Sequence, residues 1–293
     1  MTTGTDPLAP LALLAGVPEA VAEVRKNVDR LYGHRVMRRR AGEVTSESAL
    51  RGARASAALD GADWPLEEVR RRTDFGADPE ARTVGAALRL SAEAGQLLGV
   101  WRTSPLQVLA RLHLLAAGDG DPAAGRPRRD GERAEPLFPL ELAATEGKAP
   151  DGPVGELPPP PPPAEAAARL DQLAGLLAAR AERPTGGAPA LVVAAVVHGE
   201  LLALRPFGTH NGLVARAAQR IVLTAEGLDP KAICPAEVGL AELGTAAYRR
   251  ALLGYLESTP EGVSRWLVHC AAALGLGVRE STAVCEAMQR GMV

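Results

Sequence analysis

The chain has 293 residues, a formal net charge of -2 and 23% charged residues, long enough for one large core or two modest ones. The near-neutral balance argues against a general nucleic-acid-binding surface. Cys234, Cys270 and Cys285 are far apart with no CxxC pair, a pattern that offers neither a disulfide framework nor a structural zinc site.

Taken in chain order, Met1 to Pro7 has neither a basic leader nor a signal-like apolar core, so cytoplasm is the default expectation. A short turn over Pro10 to Ala15 is ended by Gly16. Pro18 then opens a longer helix, on which Val21, Val24, Val28 and Leu31 recur at helical spacing up to Gly33. Residues 44–60 form the next helix. The stretch 80–117 holds two helical segments broken near Pro105, the second being the amphipathic Leu106 to Leu115 with His113.

From about 118 to 165 the composition turns to Gly, Pro, Asp and Arg and includes the run Pro158 to Pro163, which reads as an exposed insertion with a polyproline spacer. That run is either a passive linker or a recruiter of partners. Helices resume over Ala164 to Ala181 and over 189–204, an apolar run too short to assign to a membrane and interrupted by His198 and Glu200, so no membrane partner is expected. Pro206 breaks this helix, and a new helical pattern runs from Leu213 to Ala225. Residues 236–256 follow, with Tyr248 and Tyr255 on one face, and then two last helices, Arg265 to Ala273 and Thr282 to Met288. Trp266 reads as packing against the core.

The arginine runs Arg35 to Arg40, Arg70 to Arg72 and Arg126 to Arg129 lack interleaved aromatics and read as solvated faces, so no nucleic-acid partner is expected. The glycine-containing turn Phe207 to Gly212 feeds a helix N-terminus, where free amides favour an anion. Arg205, Thr209, His210, Asn211, Gly212 and Arg216, in this turn and the helix it opens, are the candidate anion-binding residues.

The segment Leu204 to Arg216 resembles the signature of the Fic (Fido) family: His-Pro-Phe, any residue, Asp or Glu, Gly-Asn-Gly-Arg, two residues, Arg. Pro206, Phe207, Asn211, Gly212 and Arg216 match in register. Members typically transfer AMP from ATP to a hydroxyl of a target protein; some use other phosphate-containing donors and one branch removes AMP. Four positions depart. Arg205 replaces the catalytic histidine and cannot act as a base, because a guanidinium stays protonated and has no acceptor. Thr209 replaces the magnesium-binding carboxylate, which leaves Mg2+ a weak expectation and no metal ligand assigned. His210 replaces a glycine, and Leu213 replaces the first arginine.

Ser56-Ala-Ala-Leu-Asp60-Gly61 resembles the family's N-terminal inhibitory helix, with Asp60 in place of glutamate. The resemblance implies an inhibitory or structural pair of Asp60 with Arg216, completed by Ser56 and Gly61, and a carboxylate–guanidinium fork with a carboxylate one methylene shorter than usual. It also implies a β-hairpin flap, of which Leu137 to Leu142 would be the remnant, limited by Pro139 to an edge strand. His113 and His198 read as packing or locally bonded residues rather than substitute bases; His198 would lie about 10 Å behind Arg205 along its helix.

Together these imply an all-α Fic/Fido-like helical bundle. Its parts are an N-terminal helical extension (1–43), a region with the inhibitory helix (44–117), the insertion (118–165), a core with the degenerate signature (166–275) and a C-terminal helical tail (276–293). The leading reading is a catalytically impaired pseudoenzyme that binds a nucleotide, ATP or another, or a protein partner. A divergent protein adenylyltransferase (AMPylase) or other phosphoryl or nucleotidyl transferase, and a purely structural scaffold, are the alternatives.

Overall fold

The computed structural model describes residues 6–76, 78–118, 120–147, 152–181 and 187–292. Its described residues form helices and turns with no β-strand. Among the described residues twelve α-helices follow one another: α1 (Val17–Tyr32), α2 (Ala41–Leu59), α3 (Leu66–Arg71), α4 (Pro79–Glu93), α5 (Leu98–Trp101), α6 (Pro105–Ala117), α7 (Pro163–Ala181), α8 (Ala190–Leu204), α9 (Asn211–Ala225), α10 (Ala236–Leu243), α11 (Thr245–Leu256) and α12 (Pro260–Gln289). Among the described residues no helix is long and apolar enough to cross a membrane.

The middle of the bundle is the α8–α9 pair. On α8 nearly every residue from Leu191 to Leu204 is buried, as a helix apolar on all sides must be. On α9 the buried residues run from Asn211 to Leu223 and include Arg216, Gln219 and Arg220, so this helix carries polar groups into the core. Around the pair pack α2, α4 and α6 on one flank and α11 and α12 on the other. Trp266 of α12 is fully buried and donates its indole N–H to the Ala195 carbonyl of α8 at 2.8 Å, the packing role expected for it.

With so few large aromatics, the bundle closes through small residues. Ala53, Ala55, Ala57 and Ala58 line the buried side of α2. At Gly239 of α10 a Cβ would land on the Ala273 carbonyl of α12, and at Gly277 one would land on the Pro235 carbonyl. These glycines let two backbones touch. The last two helices expected from the sequence are one uninterrupted helix, α12, which crosses the boundary drawn at 275/276. The 236–256 segment, conversely, is two helices divided at Gly244, whose φ of 82° suits glycine.

Among the described residues the expected β-hairpin flap is absent. Leu142 pairs instead with the α10–α11 junction: its N–H reaches Thr245 Oγ1 at 3.0 Å and its carbonyl accepts Thr245 N–H at 3.1 Å. Thr145 and Glu146 amides both go to the Glu242 carbonyl. With its hydrogen bonds committed to a helix end, and Phe138 at a positive φ of 57°, the segment has no partner strand to pair with.

The rest of the 118–165 interval also departs from a free spacer. Arg128 is buried and holds the polyproline strap through the Pro161 carbonyl at 3.2 Å. Lys148 to Asp151 lie outside the described residues.

Candidate functional site

Two side-chain clusters meet at the turn between α8 and α9. The turn is shaped by two left-handed residues that are not glycine. Arg205 (φ 41°) ends α8 before Pro206, and His210 (φ 58°) caps α9. Each holds a conformation that costs an ordinary side chain about 1 kcal/mol or more. Asn211 clamps the turn from inside, accepting the Phe207 N–H at 3.0 Å and donating to the Phe207 carbonyl at 2.8 Å. The Asn211 side chain is thus used to shape the loop.

The first cluster joins α2 to α9. Arg216, only 2% exposed, donates Nε–H to Ser56 Oγ at 2.8 Å, and its Nη2 reaches the Ser56 carbonyl at 3.0 Å and Asp60 Oδ1 at 2.7 Å. The second carboxylate oxygen of Asp60 accepts the Leu213 N–H at 3.2 Å, an amide in the first turn of α9. Asp60 therefore lies where a helix N-terminus and a buried guanidinium both favour negative charge. Gly212 makes room for it, since a Cβ there would collide with Asp60 Oδ1 and lie 3.0 Å from Arg216 Nη1. Gly61 supplies the left-handed turn (φ 100°) that ends α2. Burial pulls the Arg216 guanidinium down, but Asp60 and Tyr248 outweigh it and hold it above its ordinary value. Leu213, which lacks the side-chain donor of an arginine, contributes a backbone donor instead.

The second cluster lies on the other side of His210. Thr209 Oγ1 stands 2.8 Å from His210 Nδ1 and 3.3 Å from His113 Nε2. The His113 ring stacks on Phe207 at 4.2 Å and accepts the Gly125 N–H through Nδ1 at 2.9 Å. Burial lowers His113 to about 4, with His210 adding to the effect, and burial also lowers His210 below its ordinary value. Both rings are therefore neutral at pH 7.

Arg205 is committed elsewhere: its guanidinium donates to the Pro158 carbonyl of the polyproline strap, and its buried Nε has no hydrogen-bond partner among the described residues. Beside it, Arg128 donates to the Arg205 carbonyl at 2.7 Å and the Leu204 carbonyl at 3.2 Å, placing positive charge at the C-terminus of α8. The neighbouring stretch follows the turn, with Arg128 N–H on the Pro206 carbonyl and Glu135 N–H on the Gly208 carbonyl, both at 2.8 Å. Glu135 also accepts the His210 N–H at 3.3 Å.

The resemblance to the family's motifs brought forward Asp60, Ser56 and Arg216 but not Arg128 and Glu135. The Gly, Pro and Arg-rich composition around these two gives no periodic signal to locate their contacts. His198 is fully buried beside Tyr248, whose Oη is 2.5 Å from His198 Nε2, and burial, then Arg216 and His269, drive its pKa well down.

The donor set does not fit magnesium. Thr209 has a neutral hydroxyl held between two imidazoles, and the neighbouring carboxylates of Asp60 and Glu135 are bonded to amides and Arg216. A phosphate fits better: Arg216 and the first turn of α9 are anion donors once Asp60 is displaced.

No protein-family profile matches the sequence. No curated protein matches it either. Solved structures do. A Fic family protein from Desulfovibrio desulfuricans superposes with a TM-score of 0.62 at 20% identity, over 90% of this chain and 74% of that one. A Fic-domain-containing signalling protein from Bacteroides thetaiotaomicron gives 0.62 at 13% identity, over 91% of this chain and 97% of that one. Fic-1 from C. elegans gives 0.60 at 14% identity, over 92% and 73%. At these identities the likeness speaks for architecture alone, and the architecture is clear: this chain has the Fic/Fido fold.

Proposed function

We propose that this protein is a Fic-fold pseudoenzyme that has lost AMP transfer and keeps a nucleotide-phosphate site under the control of Asp60. The observation that carries the reading is the division of the Asp60 carboxylate between Arg216 (2.7 Å) and the Leu213 amide (3.2 Å). A terminal phosphate seeks the same two kinds of donor, so phosphate and Asp60 compete for one place. Arg216 and the amides at the start of α9 would hold the phosphate. Bound ATP would supply an activated phosphoanhydride, but the chain has no base at position 205 to deprotonate an attacking hydroxyl there.

The test is incubation with ATP labelled at the α-phosphate, with and without Mg2+, for the wild type, Asp60→Gly and the pair Arg205→His with Thr209→Glu on the Asp60→Gly background. No covalent label is expected on the first two. Label on the wild type above that on a heat-denatured control would contradict loss of transfer.

A second reading, a protein-interaction scaffold, is favoured by the strap at Pro158 to Pro161. Pro158 and Pro159 are exposed, while Arg205 and Arg128 hold the carbonyls of Pro158 and Pro161. A pinned, extended proline segment is prepaid in entropy for docking into an aromatic-lined groove.

A further inference from the structure

The hydrogen bonds around Thr209 admit a chain that runs from His113 through Thr209 to His210. Gly125 N–H can only donate, so His113 Nδ1 is an acceptor and the proton of this neutral ring sits on Nε2. His113 Nε2–H therefore donates toward Thr209 Oγ1 at 3.3 Å. With His210 as the Nε2–H tautomer, the Thr209 hydroxyl donates its proton to His210 Nδ1 at 2.8 Å. The arrangement is a hydroxyl donating to a neutral imidazole while a second imidazole donates to the same oxygen. A nucleophilic hydroxyl and its base stand in that relation in covalent catalysis, with His113 here fixing the hydroxyl rather than the base.

We propose that Thr209 is a nucleophile, with His210 as its base and His113 as a positioning residue, and that it accepts an acyl group from a neutral ester. This goes beyond the nucleotide reading and does not depend on it, since it concerns the site with Asp60 in place. In the step, the Thr209 O–H bond breaks and its proton passes to His210 Nδ1 as Oγ1 bonds to the ester carbonyl carbon. The carbon–oxygen bond to the leaving alcohol then breaks, and the departing oxygen takes the proton back from His210. The products are O-acyl-Thr209 and the free alcohol.

The choice of a neutral electrophile follows from charge. Arg216 and Asp60 neutralise each other, Arg205 and Arg128 are turned to backbone carbonyls, and the Glu135 carboxylate accepts the His210 N–H. An anionic phosphoryl donor would meet this negative side, whereas a neutral ester would not. Gly208, Thr209 and His210 are each half-buried, so bulk water is partly excluded from the turn without the turn being closed off. The local conformation also leaves a clean probe: His210 stands at φ 58°, so His210→Gly removes the base without straining the backbone.

The test is treatment of the full chain with p-nitrophenyl acetate, following nitrophenol release and mapping the acetyl group by peptide mass spectrometry. Acetylation of Thr209 is expected in the wild type. It should be lost in Thr209→Val, retained in Thr209→Ser, and slowed about 100-fold or more in His210→Gly, as for loss of a general base. His113→Gln, which can still accept from Gly125 and donate to Thr209, should keep most of the rate that His113→Leu loses.

The charged and titratable groups facing His210 are Glu135, Asp60, Asp121, Arg89 and His113. With burial the largest influence, the rate should hold down through pH 6.5 and fall only below it. If Thr209→Val folds poorly by circular dichroism, the serine and glycine variants carry the comparison alone. An unmodified Thr209 in the wild type, an unchanged rate in His210→Gly, or equal labelling by the anionic donor acetyl phosphate would overturn the proposal.

Discussion

Asp60 caps the end of α2, yet both of its oxygens serve α9. One carboxylate thereby joins two elements and compensates a guanidinium that is almost wholly buried. Removing one partner of a buried pair leaves the other charge unsatisfied, which costs about 3–5 kcal/mol. Because the Asp60 side chain keeps 18% exposure, Asp60→Ala should sit near the low end, about 3 kcal/mol, as read by urea denaturation. Gly212→Ala should reproduce part of that loss, about 1–3 kcal/mol, by driving a methyl group into Asp60. The pair was legible only through the resemblance, because Ser56 to Gly61 and Leu204 to Arg216 each match a short motif of the family. Glu135 and Arg128 were not, because what places them is a tertiary crossing of the insertion over the signature turn. The positive φ at His210 was equally hidden: a histidine at that position signals an added side chain, not the conformation it is forced to hold.

At the scale of elements, close helix crossings decide where the sequence reading holds. Gly275 and Gly277 lower helix propensity enough to suggest a break, so α12 read as two pieces. The helix continues because Gly277 is needed where it passes the Pro235 carbonyl, and tertiary packing outweighs the local cost. The same logic makes Gly239→Ala a severe change. Its methyl group would meet the Ala273 backbone, which cannot rotate aside as a side chain can. We expect at least about 3 kcal/mol of destabilisation, the upper range of overpacking, visible as a large drop in melting temperature or loss of soluble protein. Gly275→Ala, where a Cβ meets nothing within 4 Å, is the matched control and should be neutral or slightly stabilising. The flap failed to appear for the complementary reason: an apolar stretch with a proline found its hydrogen bonds at a helix junction.

For the molecule as a whole, the all-helical architecture was legible from composition and periodicity, and its family likeness from the signature turn; the crossing of the insertion over that turn was not. Four of the chain's five histidines, His113, His198, His210 and His269, are held below their ordinary pKa, chiefly by burial. Their unfolded-state value is near 6.5, so below that pH the unfolded chain binds protons that the folded chain refuses. Stability is therefore full above pH 6.5 and falls as pH drops toward about 4, where His113 and His269 titrate in the fold. Each group contributes about 1.4 kcal/mol per pH unit within its window, so urea midpoints should fall steeply between pH 6.5 and 5.

The central claim, that Asp60 occupies a working phosphate site, is tested most directly by calorimetric titration of ATP into the wild type and Asp60→Ala. Removing the competing carboxylate should tighten ATP binding about tenfold or more, equivalent to about 1.4 kcal/mol, and Arg216→Ala on the same background should abolish the gain. Equal affinity of the wild type and Asp60→Ala, or no binding to either by calorimetry and by a fluorescent ATP analogue, would contradict it.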